Sequence, residues 1–134
     1  QVIGNITQFV LETLQNYNWY VCKHPSRTCI YQEYLAIKKQ KKDSDLIIDN
    51  QIKKYKKEGF PENFGLTANG LLLRRHNEKD CIEISTQWWN EIIEYSKRDQ
   101  LSFKYVSWKN PDFKFGIMDK KILYNSRYFK IIKR

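Results

Sequence analysis

Apolar side chains recur every three or four residues along most of this 134-residue chain, which is the spacing of helices that bury one face. The clearest case is the segment 79–98, whose apolar residues at 82, 84, 88, 89, 92, 93 and 95 form one wide stripe. The same spacing predicts four further helices, over 5–16, 28–42, 45–58 and 100–109. Gly59 follows the helix at 45–58, and a glycine in that place commonly ends a helix.

Shorter apolar runs predict strands between these helices. Residues 19–25 form one strand, which Pro25 ends, and residues 71–77 form another. The segment 113–134 alternates between apolar and polar residues, which predicts two or three short strands in a hairpin or meander. Helices that alternate with strands indicate an α/β fold with a mixed sheet and flanking helices. The length predicts a single domain over 1–134.

The segment 60–70 is rich in Gly, Pro and Asn and predicts the longest loop. Gly65 and Gly70 are expected to adopt backbone conformations there that other residues would strain.

The chain is basic, with 24 Lys and Arg residues against 15 Asp and Glu residues and a net charge of +9. This excess predicts an anionic partner, such as nucleic acid, a phosphate-bearing ligand or an acidic surface. The alternative is an AT-rich genome that places lysine on any tolerant surface. The lysine-rich segment 38–57 would then be a solvated helix face.

Cysteine usage and hydropathy bear on where the protein works. Cys22, Cys29 and Cys81 form no CxxC pair, which argues against a zinc site and predicts buried thiols in a reducing compartment. No apolar run approaches the roughly 20 residues of a membrane span, and no secretory signal is present. The expected location is the cytoplasm.

Three clusters of polar residues follow predicted elements. Ligands in α/β folds bind where loops meet at the carboxyl ends of strands, so we expect the clusters to form one site. Arginine suits phosphate oxygens, and Asp or Asn suits sugar hydroxyls. The clusters are His24 and Arg27; Arg74, Arg75, His76 and Asn77; and Arg98, Asp99 and Gln100.

Four motifs occur in a fixed order: HPSRTCIYQE at 24–33, GLLLRRHN at 70–77, WWNE at 88–91 and RDQLSF at 98–103. Together they resemble the second half of a family of glycosyltransferase-like proteins that occur in polysaccharide and capsule loci, in large DNA viruses and in plants. The resemblance covers roughly residues 1–110. It implies a partial GT-A-like nucleotide-diphospho-sugar transferase fold, and transfer of a hexose from a nucleotide-sugar donor to a glycan acceptor.

The resemblance makes Asp99 the candidate catalytic carboxylate, which would deprotonate the acceptor hydroxyl if the enzyme inverts. Arg98 would hold Asp99 or a phosphate, and Gln100 would hold a sugar hydroxyl. The alternative is that Asp99 caps the helix that begins at Gln100, with Arg98 as a surface partner.

The other cluster members are candidate substrate-binding residues, each with a structural alternative. His24 reaches a phosphate or sugar, or is hydrogen-bonded at a strand end. Arg27 binds substrate, or pairs with Glu33 across a helix start. Arg74 and Arg75 alternate on a strand, so we expect one to face a cleft and the other to face solvent. Asn77 completes the set.

Two further side-chain interpretations stay open. His76 is a candidate late metal ligand, although an isolated histidine is more often not a ligand. Trp88 and Trp89 are adjacent, so they cannot share one helical face. We expect one in the core and the other at the core edge or serving as a platform for a sugar.

One position departs from the family pattern. Ile3 stands where the related proteins carry the aspartate of an acidic metal motif. Mn²⁺ or Mg²⁺ would serve the full-length family, but isoleucine offers no oxygen ligand. The first half of a GT-A domain is also absent from this sequence. We therefore expect a C-terminal portion of a longer enzyme, a short protein that lost catalysis, or a half that a separate chain completes.

A competing interpretation is a non-catalytic basic module that binds a glycan or nucleic acid. The four Trp, nine Tyr and seven Phe residues would stack on sugars as well as on bases. No groove-entering motif, RNP signature or zinc finger is present, which argues against nucleic acid. A purely structural partner domain is the third interpretation.

Overall fold

The computed structural model describes residues 1–119, 121–124, 126–130 and 132. No helix in these ranges is both long and apolar enough to cross a membrane. The chain order is α1 (Ile6–Thr13), β1 (Trp19–Lys23), α2 (Ile30–Lys39), α3 (Asp45–Lys57), β2 (Thr67–Arg74), α4 (Lys79–Glu94), a 3₁₀ turn (Asp99–Leu101), α5 (Phe103–Lys109), β3 (Gly116–Met118) and α6 (Lys121–Tyr124).

Helix ends follow local chemistry. Asn5 caps α1, where its side chain accepts a hydrogen bond of 3.0 Å from the backbone N–H of Gln8. Lysines crowd the last turn of α3, where the helix dipole favours positive charge. Gly59 follows with a φ of +84°, so the predicted end of this helix is confirmed.

The sheet has three strands in the order β2-β1-β3. β1 is antiparallel to β2 and parallel to β3. Val21 pairs with Leu72, but the next residue, Cys22, pairs with Ala68. The residues 69–71 therefore form a bulge opposite the Val21–Cys22 peptide.

Each face of the sheet carries its own apolar cluster. Trp19 and Val21 of β1 pack with Leu72 beneath α2, α3, α4 and α5. Phe103 stacks on Trp19 at a ring distance of 5.6 Å. Burial of each large apolar side chain contributes about 1.5–3 kcal/mol to the free energy of folding.

Cys22 and Met118 point to the opposite face, where they pack with Phe9 of α1 and with Tyr128. The three cysteines are buried and free, as predicted. Burial raises the pKa of Cys81 to about 11, so this thiol stays protonated at neutral pH.

The predicted fold class, an α/β fold with a mixed sheet flanked by helices, is confirmed. The predicted loop at 60–70 is wrong at its end, because β2 begins at Thr67. Gly65 has a φ of +91°, as a loop glycine should. Gly70 lies in the bulged part of β2 without positive φ, so its prediction is wrong. Asn69 and Gly70 therefore lie in the bulge and not in a loop.

The predicted hairpin or meander at 113–134 is also wrong for the described residues. This segment contributes one short strand, β3, and the single helical turn α6. Phe129 forms an isolated antiparallel bridge with Val2. Residues 120, 125, 131, 133 and 134 lie outside the described ranges. β3 pairs with the distant β1, and such a pairing leaves no trace in a local pattern.

Candidate functional site

A cleft of about 500 Å³ lies between the second half of β2 and the outer part of α4. We call it the β2–α4 cleft. Its volume falls in the range of ligand pockets, roughly 300–1,000 Å³. It is lined by Leu72, Arg74, Ser85, Thr86, Trp88, Trp89 and Ile92.

Arg74 and Trp89 give this cleft its chemical character. The Arg74 guanidinium donates a hydrogen bond of 2.7 Å from Nη1 to Ser85 Oγ and lies 5.3 Å from the Trp19 ring centre. Trp89 is 60% exposed, whereas Trp88 is buried. The expected division of the tryptophan pair into one core and one peripheral residue is confirmed. An exposed indole beside a held guanidinium and two hydroxyls offers both an apolar face and hydrogen-bond donors.

Trp88 connects this cleft to the turn that carries Asp99. Its indole N–H lies 3.3 Å from the Asp99 carbonyl oxygen and 3.1 Å from Ser102 Oγ, and donates to both. These contacts fix the backbone of the turn. Within the described part of the chain, the Asp99 carboxylate forms no cap of the 3₁₀ turn or of α5. The capping alternative is therefore not what the structure has.

The other side of the same turn is anchored by polar contacts. Ser96 Oγ donates to Asp43 Oδ2 at 2.6 Å and accepts from the backbone N–H of Arg98 at 3.0 Å. The Arg98 Nε atom is buried without a hydrogen-bond partner in the described residues. Gln100 is partly exposed. The predicted roles of Arg98, Asp99 and Gln100 stay predictions.

His24, Arg27 and Glu33 form a compact network at the end of β1. His24 Nδ1 accepts hydrogen bonds from the backbone N–H groups of Ser26 at 3.2 Å and Arg27 at 3.0 Å. Arg27 Nε donates to the buried Glu33 carboxylate at 2.5 Å. Pairing of Arg27 with Glu33, one of the two alternatives, is therefore present. Substrate binding by His24 and Arg27 stays a prediction.

Arg75, His76 and Asn77 follow β2 and are exposed. Arg75 points away from Arg74 and donates to the Leu14 carbonyl oxygen at 2.9 Å. The predicted alternation of the two arginines is confirmed, although Arg75 contacts α1's end as well as solvent. Substrate binding by Arg75, His76 and Asn77 stays a prediction.

The expectation that all three clusters form one site is wrong. Lys23 pairs with Thr67 and Trp19 pairs with Arg74. Because β1 and β2 are antiparallel, their carboxyl ends lie at opposite ends of the sheet along the strand direction. His24 therefore lies roughly 15–20 Å along the strands from Arg75. Arg74 and the Asp99 turn, in contrast, both lie beside Trp88.

No metal centre is formed by the residues that the structure describes. They bring together no three His, Cys, Asp or Glu side chains that could hold a metal ion. Ile3, at the place of the expected aspartate, is 53% exposed. Isoleucine offers no oxygen ligand, so this position does not fit Mn²⁺ or Mg²⁺.

A buried polar network between α3 and α4 was not predicted from the sequence. Glu91 of α4 accepts from Lys54 Nζ at 2.6 Å and from the Tyr55 hydroxyl at 2.7 Å. Burial and the Glu91 charge raise the pKa of Tyr55. One signal was available: Glu91 continues the spacing of Ile84 and Trp88 on the apolar stripe.

Comparison with known proteins relates this structure to a protein family. No curated protein and no solved structure matches the chain significantly. A sequence model described as TOD1/MUCI70, glycosyltransferase-like domain, matches residues 5–127. This match spans all three strands, the β2–α4 cleft and the Asp99 turn. The chain therefore belongs to the TOD1/MUCI70 glycosyltransferase-like domain family.

Proposed function

We propose that the protein is a glycosyltransferase-type domain that transfers a sugar from a nucleotide-sugar donor to a glycan acceptor. We also propose that one sugar ring of a substrate lies in the β2–α4 cleft. The observation that carries this proposal is the exposed Trp89 beside Arg74 in a cleft of about 500 Å³. The family supports the class of reaction.

The lining of the cleft suits a sugar. The apolar face of a pyranose would lie on the Trp89 indole, which otherwise leaves a large apolar surface in water. Sugar hydroxyls would exchange hydrogen bonds with Ser85, Thr86 and the Arg74 guanidinium. Arg74 is already oriented by Ser85, so less conformational entropy is lost on binding.

Asp99 is our proposed catalytic base. Its backbone is fixed through Trp88, and its carboxylate forms no hydrogen bond with the described residues that would occupy it. A carboxylate held in this way can take the proton of an acceptor hydroxyl in an inverting transfer. Arg98 would stabilise the leaving diphosphate and Gln100 would hold a sugar hydroxyl.

The remaining predicted residues receive different roles in this proposal. Arg27 and His24 would keep the loop after β1 in place through Glu33, at a distance from the cleft. Arg75, His76 and Asn77 follow directly after Arg74, so they would contact parts of a substrate that extend beyond the cleft.

The proposal is tested by ligand-dependent unfolding followed by a transfer assay. Nucleotide-sugars are screened with and without Mn²⁺, and a donor at about 100 times its dissociation constant should stabilise the fold by about 2.7 kcal/mol. Transfer to an oligosaccharide is then followed by mass spectrometry. Asp99→Asn should abolish turnover and keep binding, while Asp45→Asn, an exposed carboxylate of α3, should keep both.

The cleft is tested in the same assay. Trp89→Ala should weaken acceptor or donor binding about tenfold, whereas Leu46→Ala, at an even more exposed apolar residue outside the cleft, should not. Absence of any donor shift and of any transfer would contradict the proposal. Tight, steeply salt-dependent binding of generic oligonucleotides would favour the nucleic-acid-binding module instead.

A further inference from the structure

A second pocket lies beside α5 and the segment that follows it. It has a volume of about 620 Å³ and we call it the α5 pocket. The ring of Phe103 contacts a lining residue of each cavity, at 5.0 Å from the Trp88 ring of the β2–α4 cleft and 5.2 Å from the Phe115 ring of the α5 pocket. The α5 pocket is lined by Phe64, Lys104, Ser107, Trp108, Pro111, Phe113, Lys114 and Phe115.

The charge of the α5 pocket is positive. Lys104 and Lys114 line it, and no Asp or Glu does. Lys104 Nζ lies 4.7 Å from the Phe64 ring centre and 5.1 Å from the Phe115 ring centre. The partly buried amine has no carboxylate beside it in the described part of the chain, and burial lowers its pKa. A bound anion would supply the missing counter-charge.

The loop that precedes β2 leaves room for the Lys104 side chain. Gly65 has a φ of +91°, and a Cβ atom placed on it would lie 3.5 Å from Lys104 Cε. The loop therefore passes close against the Lys104 stem and holds it between the two phenyl rings. The fold therefore fixes the position of the Lys104 ammonium group.

The aromatic walls favour a small anion on an aliphatic ring over a nucleic-acid base. Bases bind by stacking on open aromatic faces. The Lys104 ammonium already covers a face of Phe64 and of Phe115, and Phe113 is buried against Phe115 at 5.6 Å. The remaining aromatic wall, Trp108, has the Lys109 ammonium 5.9 Å from its ring centre. A sugar carboxylate needs only a cation and adjacent apolar surface, and both are present here.

We propose that the α5 pocket binds an acidic sugar residue, a uronate, whose carboxylate pairs with Lys104. The inference rests on the proposed function in that this residue would belong to the glycan acceptor. It adds a substrate class, an anionic glycan, which agrees with the net charge of +9.

Calorimetric titration with two matched hexasaccharides tests the inference. One contains alternating glucuronate residues, and the other is the same oligosaccharide with its carboxylates reduced to alcohols. The acidic form should bind at least about tenfold more tightly. Lys104→Met, which keeps the apolar stem, should remove that preference. Lys104→Arg should retain it, and Lys53→Met, at an exposed lysine of α3, should leave it unchanged.

Each other outcome overturns the inference. Equal affinity for the two hexasaccharides would do so, as would equal losses in Lys104→Met and Lys53→Met, which would indicate diffuse attraction to the basic surface. Displacement of the acidic hexasaccharide by a nucleoside diphosphate, with Lys104 required for both, would assign the pocket to the donor instead.

The two proposals fail separately. Binding that depends on Lys104, without transfer from any donor, would keep the uronate site and contradict the proposed transferase. Transfer that depends on Asp99 and Trp89, to neutral acceptors only and without any effect of Lys104→Met, would keep the transferase and contradict the uronate site.

Discussion

A single buried carboxylate, Glu91, joins three helices. It pairs with Lys54 and Tyr55 of α3, and the Tyr55 ring stacks on Tyr105 of α5 at 3.8 Å. Gln51 donates to the Tyr55 hydroxyl at 2.9 Å. Removal of one member of such a network leaves the remaining charge and hydroxyl unsatisfied, and this penalty exceeds the lost attraction.

Glu91→Ala should therefore lower the free energy of unfolding by about 2–3 kcal/mol, measured by urea denaturation. Glu83→Ala is the matched control on the same helix. Its carboxylate lies 3.8 Å from Lys79 and both side chains are well exposed, so it should change stability by less than about 0.5 kcal/mol. Similar losses in both variants would mean that the network contributes no more than a surface pair.

At the scale of elements, two glycines in strands differ in the space that a side chain would have. A Cβ atom on Gly116 of β3 would lie only 2.0 Å from Cε1 of Tyr20, its partner across the parallel pair. A Cβ atom on Gly70, in the bulge of β2, would meet nothing within 4 Å. β3 can approach β1 only because residue 116 has no side chain.

Gly116→Ala is expected to destabilise the protein by about 2–3 kcal/mol in thermal or urea unfolding, because the new methyl group overlaps an aromatic ring. Gly70→Ala should stay within about 0.5 kcal/mol of the parent. The double variant Gly116→Ala, Tyr20→Ala should be less destabilised than the sum of its single variants. Strict additivity would show that the ring is not the obstacle.

The elements differ in how far the sequence could predict them. Helices α1 to α5 follow from local periodicity, because a helix satisfies its own backbone hydrogen bonds, whereas α6 lies in a segment whose alternation predicted strands. The helix predicted at 79–98 is longer than α4, which ends at Glu94 because Tyr95 leaves helical geometry. The bulge of β2 and the pairing of β3 depend on partners far away in sequence, which no local window contains.

The same distinction applies to the candidate site. Alternation along a strand correctly separated Arg74 from Arg75. The direction of β2 relative to β1 is a tertiary property, so the grouping of His24 with Arg74 failed. The β2–α4 cleft forms where the end of a strand lies against a face of a helix. This contact is a property of the tertiary structure, so the sequence alone could not predict the cleft.

At the scale of the whole molecule, surface carboxylates tie stability to pH. The hydrogen bond from Lys109, and then that from Tyr105, lower the pKa of Glu58 below its ordinary value of 4.5. Lys38 and Tyr34 likewise lower the pKa of Asp49 below 3.8. A lowered folded-state pKa contributes stability above the unfolded value, and that stability is lost as pH falls through the folded value.

The free energy of unfolding should accordingly fall as the pH is taken from about 6 to about 3. The difference in stability between the parent and Glu58→Gln should be constant above pH 4.5 and shrink below it. Glu62→Gln, at an exposed loop residue for which no basic partner is seen in the described chain, should track the parent curve. A Glu58→Gln difference that is the same at every pH would contradict this account.

The bulge of β2 and the short length of β3 affect whether copies of the protein can associate through the edges of their sheets. Outer strands present rows of backbone N–H and C=O groups, which are templates for pairing with another chain. In β2 the row is interrupted at residues 69–71, and β3 is three residues long. Within the described chain, neither edge offers a long straight run. We therefore expect the backbone irregularity of both edges to oppose strand-to-strand aggregation, and this resistance should persist at salt concentrations that screen the positive surface.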